Sequence, residues 1–157
     1  MSMQPELLSP CGLYCGVCRI YQATQAGDMD LLTRLAHIYA GWLPGLAGLT
    51  VADTLCDGCL SERRFKFCRV CSIKDCAHSK GYAGCHECSE FPCTRINEFP
   101  SATGKPVMLR SIPYRREFGT ERWIQAEEER YLCPRCGKKL YRGAVECEQC
   151  DISLDLG

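Results

Sequence analysis

The chain has 157 residues, 15 of them cysteine, and its 19 basic residues balance 19 acidic ones. The 46% hydrophobic fraction counts those cysteines and falls to about 36% without them, which excludes a large apolar core and calls for another source of folding energy. No apolar run is long enough to cross a bilayer, and the even charge argues against a broad nucleic-acid surface.

Twelve of the cysteines form six C-x-x-C pairs: Cys15/Cys18, Cys56/Cys59, Cys68/Cys71, Cys85/Cys88, Cys133/Cys136 and Cys147/Cys150. A tight turn aims two sulfurs at this spacing toward one tetrahedral ion, whereas a structural disulfide there is strained. The first ten residues carry neither a basic stretch nor an apolar one of the kind that directs secretion, and the cysteine count is odd. The expectation is a cytoplasmic metal-thiolate protein in a reducing compartment, without a membrane span. A structural zinc can supply on the order of 10–16 kcal/mol of folding energy in place of buried area. Three four-cysteine sites and one with three cysteines and a histidine would bring roughly −7 charges, so the loaded protein is expected to be acidic.

In chain order, Cys11-Gly-Leu-Tyr-Cys15-Gly-Val-Cys18 comes first. Its C-x-x-x-C-x-x-C spacing also occurs where radical S-adenosylmethionine enzymes hold a four-iron cluster, but those need a large partial barrel that this chain is too short to build. A short helix is expected over Arg19 to Gly27. A clearer one follows from Asp28 to Leu43, with Leu31, Leu32, Leu35, Ile38, Tyr39 and Trp42 as its apolar stripe and Asp28 or Asp30 as cap. The stripe reads as a core face, and His37 within it as a surface or packing residue. From Cys56 to Cys93 no pattern exceeds about two helical turns, so metal knuckles must organise the segment. Pro92 suits the first position of one or two turns over Cys93 to Phe99. Ser101 to Pro113, with Pro106 and Pro113, reads as an extended linker, and a helix follows from Arg115 or Thr120 to Tyr131.

The last set, Cys133-Pro-Arg-Cys136 and Cys147-Glu-Gln-Cys150, has two knuckles joined by a short hairpin over Lys139 to Val145, the pattern of a zinc ribbon. All four coordination positions are filled by protein, so the site is structural, with rubredoxin-like iron as the alternative ion. Upstream stand eleven more candidate ligands, Cys11, Cys15, Cys18, Cys56, Cys59, Cys68, Cys71, Cys76, Cys85, Cys88 and Cys93. One histidine, His78 or His86, completes three tetrahedral sets, with His78 assigned here; two zinc sites and three spare thiols fit as well. The cofactor expectation is three to four zinc ions, the alternative an iron–sulfur cluster within residues 11–93. The basic, aromatic run Arg63-Arg64-Phe65-Lys66-Phe67-Cys68-Arg69 reads as a solvated loop whose cations offset nearby thiolates rather than as a base-stacking surface.

The motifs C-G-L-Y-C-G-V-C at 11–18, C-D-G-C at 56–59, C-S-I-K-D-C-A-H-S-K-G at 71–81 and C-H-E-C-S-E-F-P-C at 85–93 resemble a family of short cysteine-rich prokaryotic proteins, catalogued as a domain of unknown function and frequent in anaerobes. The resemblance covers roughly residues 9 to 99, implies a metal-binding fold and carries no mechanism.

The fold expected is a small metal-stabilised α+β protein: a cysteine-rich knuckle domain with short helices over 1–99, a linker and helix over 100–131, and a zinc ribbon over 132–157. No acid, base and nucleophile constellation stands out, so a non-catalytic multi-zinc adaptor that docks on a protein partner comes first. Redox or electron-transfer work, by an iron–sulfur cluster or by spare thiols such as Cys11, Cys76 and Cys93, is the alternative. Nucleic-acid binding is a further one, disfavoured because Arg135, Lys138, Lys139 and Arg142 are matched by Glu146, Glu148, Asp151 and Asp155.

Overall fold

Eight α-helices and three 3₁₀ turns organise residues 3–156, the part of the chain that the computed structural model describes. Helix α1 (Arg19–Ala26) starts on Cys18 and ends at Gly27. In α2 (Met29–Trp42) the Asp28 carboxylate accepts the Leu31 N–H at 2.9 Å, satisfying a donor that the first turn leaves free. Leu32, Leu35 and Ala36 are buried, and Tyr39 packs on Phe65. The stripe is narrower than expected, since Ile38 is exposed and Trp42 is 73% exposed. At about 100° per residue Ile38 stands at least a quarter turn from the Leu32–Tyr39 line, whereas Trp42 lies on the Leu35 side but at the last residue of α2.

Four short helices follow: α3 (Val51–Thr54), α4 (Lys66–Arg69), α5 (Ser72–Ser79) and α6 (Thr94–Asn97). Cys93 caps α6, so Pro92 precedes the helix rather than opening it. The expected linker is a helix: α7 spans Gly104–Phe118. Pro106 lies in its first turn, where a missing N–H costs nothing, and Pro113 is carried inside because Val107, Met108, Ser111, Ile112 and Arg115 bury one face. After a break at Gly119, α8 (Thr120–Arg130) packs back on α7.

The α+β expectation is corrected to a small, mostly helical fold. Among the described residues, strand pairing is confined to two isolated antiparallel bridges, Leu132 with Lys139 and Glu146 with Ser153. Each bridge closes the turn of one C-x-x-C pair on itself. The Cys133 N–H donates to the Lys138 carbonyl (2.8 Å) and the Cys147 N–H to the Ile152 carbonyl (3.0 Å), so no regular hairpin forms over 139–145.

Three small clusters take the place of one core. Leu32, Leu35, Ile20 and Phe65 form one beneath α1 and α2, and Ile73, Ile96 and Met108 another between α5, α6 and α7. The third joins the tail to the start of the chain: Leu7, Tyr14 and Val17 meet Trp123, Tyr131, Leu140 and Cys147. Polar contacts reinforce it, with the Arg142 N–H donating to the Val17 carbonyl (2.7 Å) and the Gln22 amide to the Leu140 carbonyl (3.0 Å). Among the described residues no helix is long and apolar enough to cross a membrane.

Candidate metal centre

At the tail, the sulfurs of Cys133, Cys136, Cys147 and Cys150 all lie within 4.8 Å of one another. Cys133 and Cys150 are 3.6 Å apart, as are Cys136 and Cys147. Ligand sulfurs at about 2.3 Å from a tetrahedral ion stand about 3.8 Å apart, so the four thiols already sit at single-ion spacing. Gly137, at φ 74°, takes the left-handed turn that folds the chain back after the first pair.

The thiols divide their protons unevenly. Burial works against ionising Cys133, but the backbone N–H groups of Cys136 and Arg135 and the neighbouring thiols outweigh it and bring it down to about 6. Burial and the neighbouring sulfurs push Cys150 up to about 12. The Lys138 N–H favours the Cys136 thiolate, yet burial and the adjacent sulfurs leave it raised. One anion is easy here and several are not, which is the electrostatic demand a divalent cation answers. Loading therefore expels protons from the raised thiols. Zinc affinity should fall steeply as the solution is acidified, and competition with a chromophoric chelator at neutral and acid pH measures it.

The eleven upstream thiols gather differently. Burial, then the neighbouring sulfurs of one group that includes Cys18 and Cys59, raise the Cys15, Cys56 and Cys68 thiols, and the Cys59 N–H points at the Cys15 sulfur (3.3 Å). Burial, then Cys11 and Cys71, push Cys59 up to about 12. Cys76, Cys85, Cys88 and Cys93 line a cavity of about 210 Å³ beside α5. Among the described residues, no three ligand atoms outside the tail tetrad come within 4.8 Å of one another.

A family model described as "Protein of unknown function (DUF3795)" matches residues 7–98. The chain belongs to the DUF3795 family. No curated protein and no solved structure matches it.

All eleven upstream cysteines lie in the DUF3795 segment, and the tail tetrad lies outside it. His78, on α5, and His37, on α2, are both exposed. His86 is half-buried, its Nδ1 without a hydrogen-bond partner; burial, then Arg115, lower its pKa. Cys11 is buried and its thiol raised by that burial, which keeps its nucleophilic thiolate form scarce.

Arg63 of the basic loop binds the Asp57 carboxylate through Nε and Nη2 (2.8 and 2.9 Å), and the Cys56 sulfur adds to the field on it. Phe65 is buried, and Phe67 packs between Phe65 and Phe99. Two cations from outside that loop also act on the upstream sulfurs. Lys74 is 5% exposed, donates to the Cys68 carbonyl (3.0 Å) and favours the Cys59 thiolate. Arg142, reaching in from the tail to the Tyr14 carbonyl (3.1 Å), counters Cys15 and Cys18. The only signal for Lys74 was its place beside Ile73 and Ala77 on one face of α5.

Gly58 seats the Cys56-x-x-Cys59 turn against the chain start of this DUF3795 protein. Its φ is 118°, and a Cβ there would lie 2.4 Å from the Glu6 carbonyl oxygen. Gly58→Ala should therefore destabilise by more than about 1 kcal/mol, read as a lowered melting temperature.

Proposed function

We propose that this DUF3795 protein is a non-catalytic metal-thiolate protein that serves as a protein-interaction or adaptor module, with zinc closing a ribbon-like tail and further metal on the upstream thiols. The observation that carries the reading is the tail tetrad, whose four sulfurs stand at single-ion spacing. An ion there has four protein ligands and no position for water or substrate, so it would hold structure rather than turn over a reaction. Soft thiolates in tetrahedral array favour zinc. All fifteen cysteines are unbridged, which supports a reducing compartment, the cytoplasm.

Two observations favour a protein partner over nucleic acid. Two of the basic loop's four cations are engaged by nearby carboxylates, Arg63 by Asp57 and Arg69 by Asp53, while Phe65 is buried and Phe67 packs between Phe65 and Phe99. Meanwhile Trp42 projects from the end of α2, and exposed tryptophan is a common interface anchor. The test is chemical cross-linking in native lysate, with wild-type chain compared against Trp42→Ala at equal zinc content. A cross-linked protein lost with Trp42→Ala supports the module. Equal capture by both chains, or cross-links mainly to RNA, overturns it.

A further inference from the structure

We infer that Cys76, Cys85, Cys88 and Cys93 hold a [4Fe–4S] cluster in the cavity beside α5, a second metal centre of a different kind from the tail site. The inference goes beyond the adaptor reading and does not depend on it.

Three features of the cavity carry it. The four sulfurs come from separate points of the backbone: one from α5, one from the Cys85–Glu87 turn, one just after it and one from the cap of α6. They share one cavity of about 210 Å³, several times the roughly 30 Å³ of liquid that one water occupies, so the space fits a multi-atom core better than a lone ion. The spacing points the same way. The tail sulfurs are drawn to within 4.8 Å of one another, whereas no three of these are. A single zinc needs all its ligands that close, while four thiolates on four different irons stand further apart.

The surroundings suit an anionic cluster. With four thiolates, an oxidised cubane carries about two negative charges, and the Lys80 ammonium lies 3.9 Å from the Cys88 sulfur while pairing on its other side with Glu90. Ile73, Phe91 and Ile96 form the apolar wall. The ligand turn is held from behind: the Cys85 N–H donates to the Pro10 carbonyl (2.9 Å), and Arg116 clamps the carbonyls of His86 (2.9 Å) and Cys88 (2.7 Å). A scaffold fixed this way keeps the sulfurs apart instead of letting them collapse on one small ion.

Loading can proceed without a redox step, by exchange from a cluster already assembled on four small thiolates. Each cysteine S–H bond breaks as its sulfur bonds one iron, and the proton leaves on the departing small thiolate as a free thiol. Four Fe–S bonds are made, four are lost, and the cluster's electron count is unchanged.

The experiment offers full-length, zinc-loaded protein a synthetic thiolate-ligated [4Fe–4S] cluster under anaerobic conditions. The result expected is about four irons and four sulfides per chain, broad visible absorption, and protection of Cys76, Cys85, Cys88 and Cys93 from alkylation, mapped by mass spectrometry. Cys76→Ser combined with Cys93→Ser should lower cluster uptake at least about tenfold with tail zinc retained, and Cys15→Ser combined with Cys59→Ser should not. The protection map needs only wild-type protein, so a variant that fails to fold leaves the test intact. Protection falling on other thiols, a colourless chain, or zinc taking these four sulfurs when both metals are offered overturns the inference. Loss of tail zinc alone bears on the adaptor reading and not on this one.

Discussion

Cys147→Ser should abolish tail zinc binding and release the tail from the rest of the molecule. Cys147 is fully buried and is at once a corner of the tetrad and part of the cluster joining the tail to the chain start. A structural zinc contributes on the order of 10–16 kcal/mol, as much as the whole net stability of about 5–15 kcal/mol of a small domain. Removing the ion leaves three thiols that repel one another once ionised. It also frees Leu140 and Ala144 from their cover over Tyr14 and Val17. The expected result is one zinc-equivalent fewer per chain than the wild type, loss of near-ultraviolet dichroism from Trp123, and early, non-cooperative melting. A chelator should reproduce this on the wild-type chain. Unchanged zinc content with an unchanged melt would remove the tail ion from the account of stability.

Trp123→Ala should cost about 3–5 kcal/mol, the range for emptying a fully buried large aromatic site. Trp123 is the largest fully buried side chain. Tyr14 meets it edge-on, with ring centres 5.7 Å apart and an interplanar angle of 73°, and the Arg115 guanidinium lies over it at 4.5 Å. The alanine variant therefore leaves a cavity and takes the partner from a buried cation. Trp123→Phe makes a discriminating control. The Trp123 indole N–H is buried without an acceptor, so phenylalanine keeps most of the packing and deletes an unsatisfied donor. Its urea midpoint should lie much nearer the wild type than that of the alanine variant. Equal losses in the two variants would mean that the ring's packing is not what holds α8 to the chain start.

The tail tetrad was legible in the sequence because its geometry is local. Ten residues separate two tight pairs, each pair closes its own turn, and little else is needed to bring four sulfurs together. The hairpin expected between them did not form for the same local reason: the backbone bonds of each knuckle are satisfied inside it. Helices α1 and α2 were readable from apolar period and caps, but the exposure of Trp42 was not, since it depends on where the opposing segment ends. The two prolines made 101–113 look like a linker, while burial of Val107, Met108 and Ile112 made it a helix. Local propensity lost there to tertiary packing.

By itself the amino-acid sequence determined which four cysteines meet at the tail, because C-x-x-C spacing is a property of neighbouring residues, and its small apolar fraction set the expectation that sulfur supplies folding energy. Only the tertiary structure decided how nine of the other eleven sort themselves, bringing Cys15, Cys18, Cys56, Cys59 and Cys68 to one place and Cys76, Cys85, Cys88 and Cys93 to another, with Cys11 near both Cys59 and Cys85. It also set Lys74 and Arg142 against the first group. Those encounters join residues tens of positions apart, and the packing of α5, α6 and α7 selects them where spacing along the chain cannot.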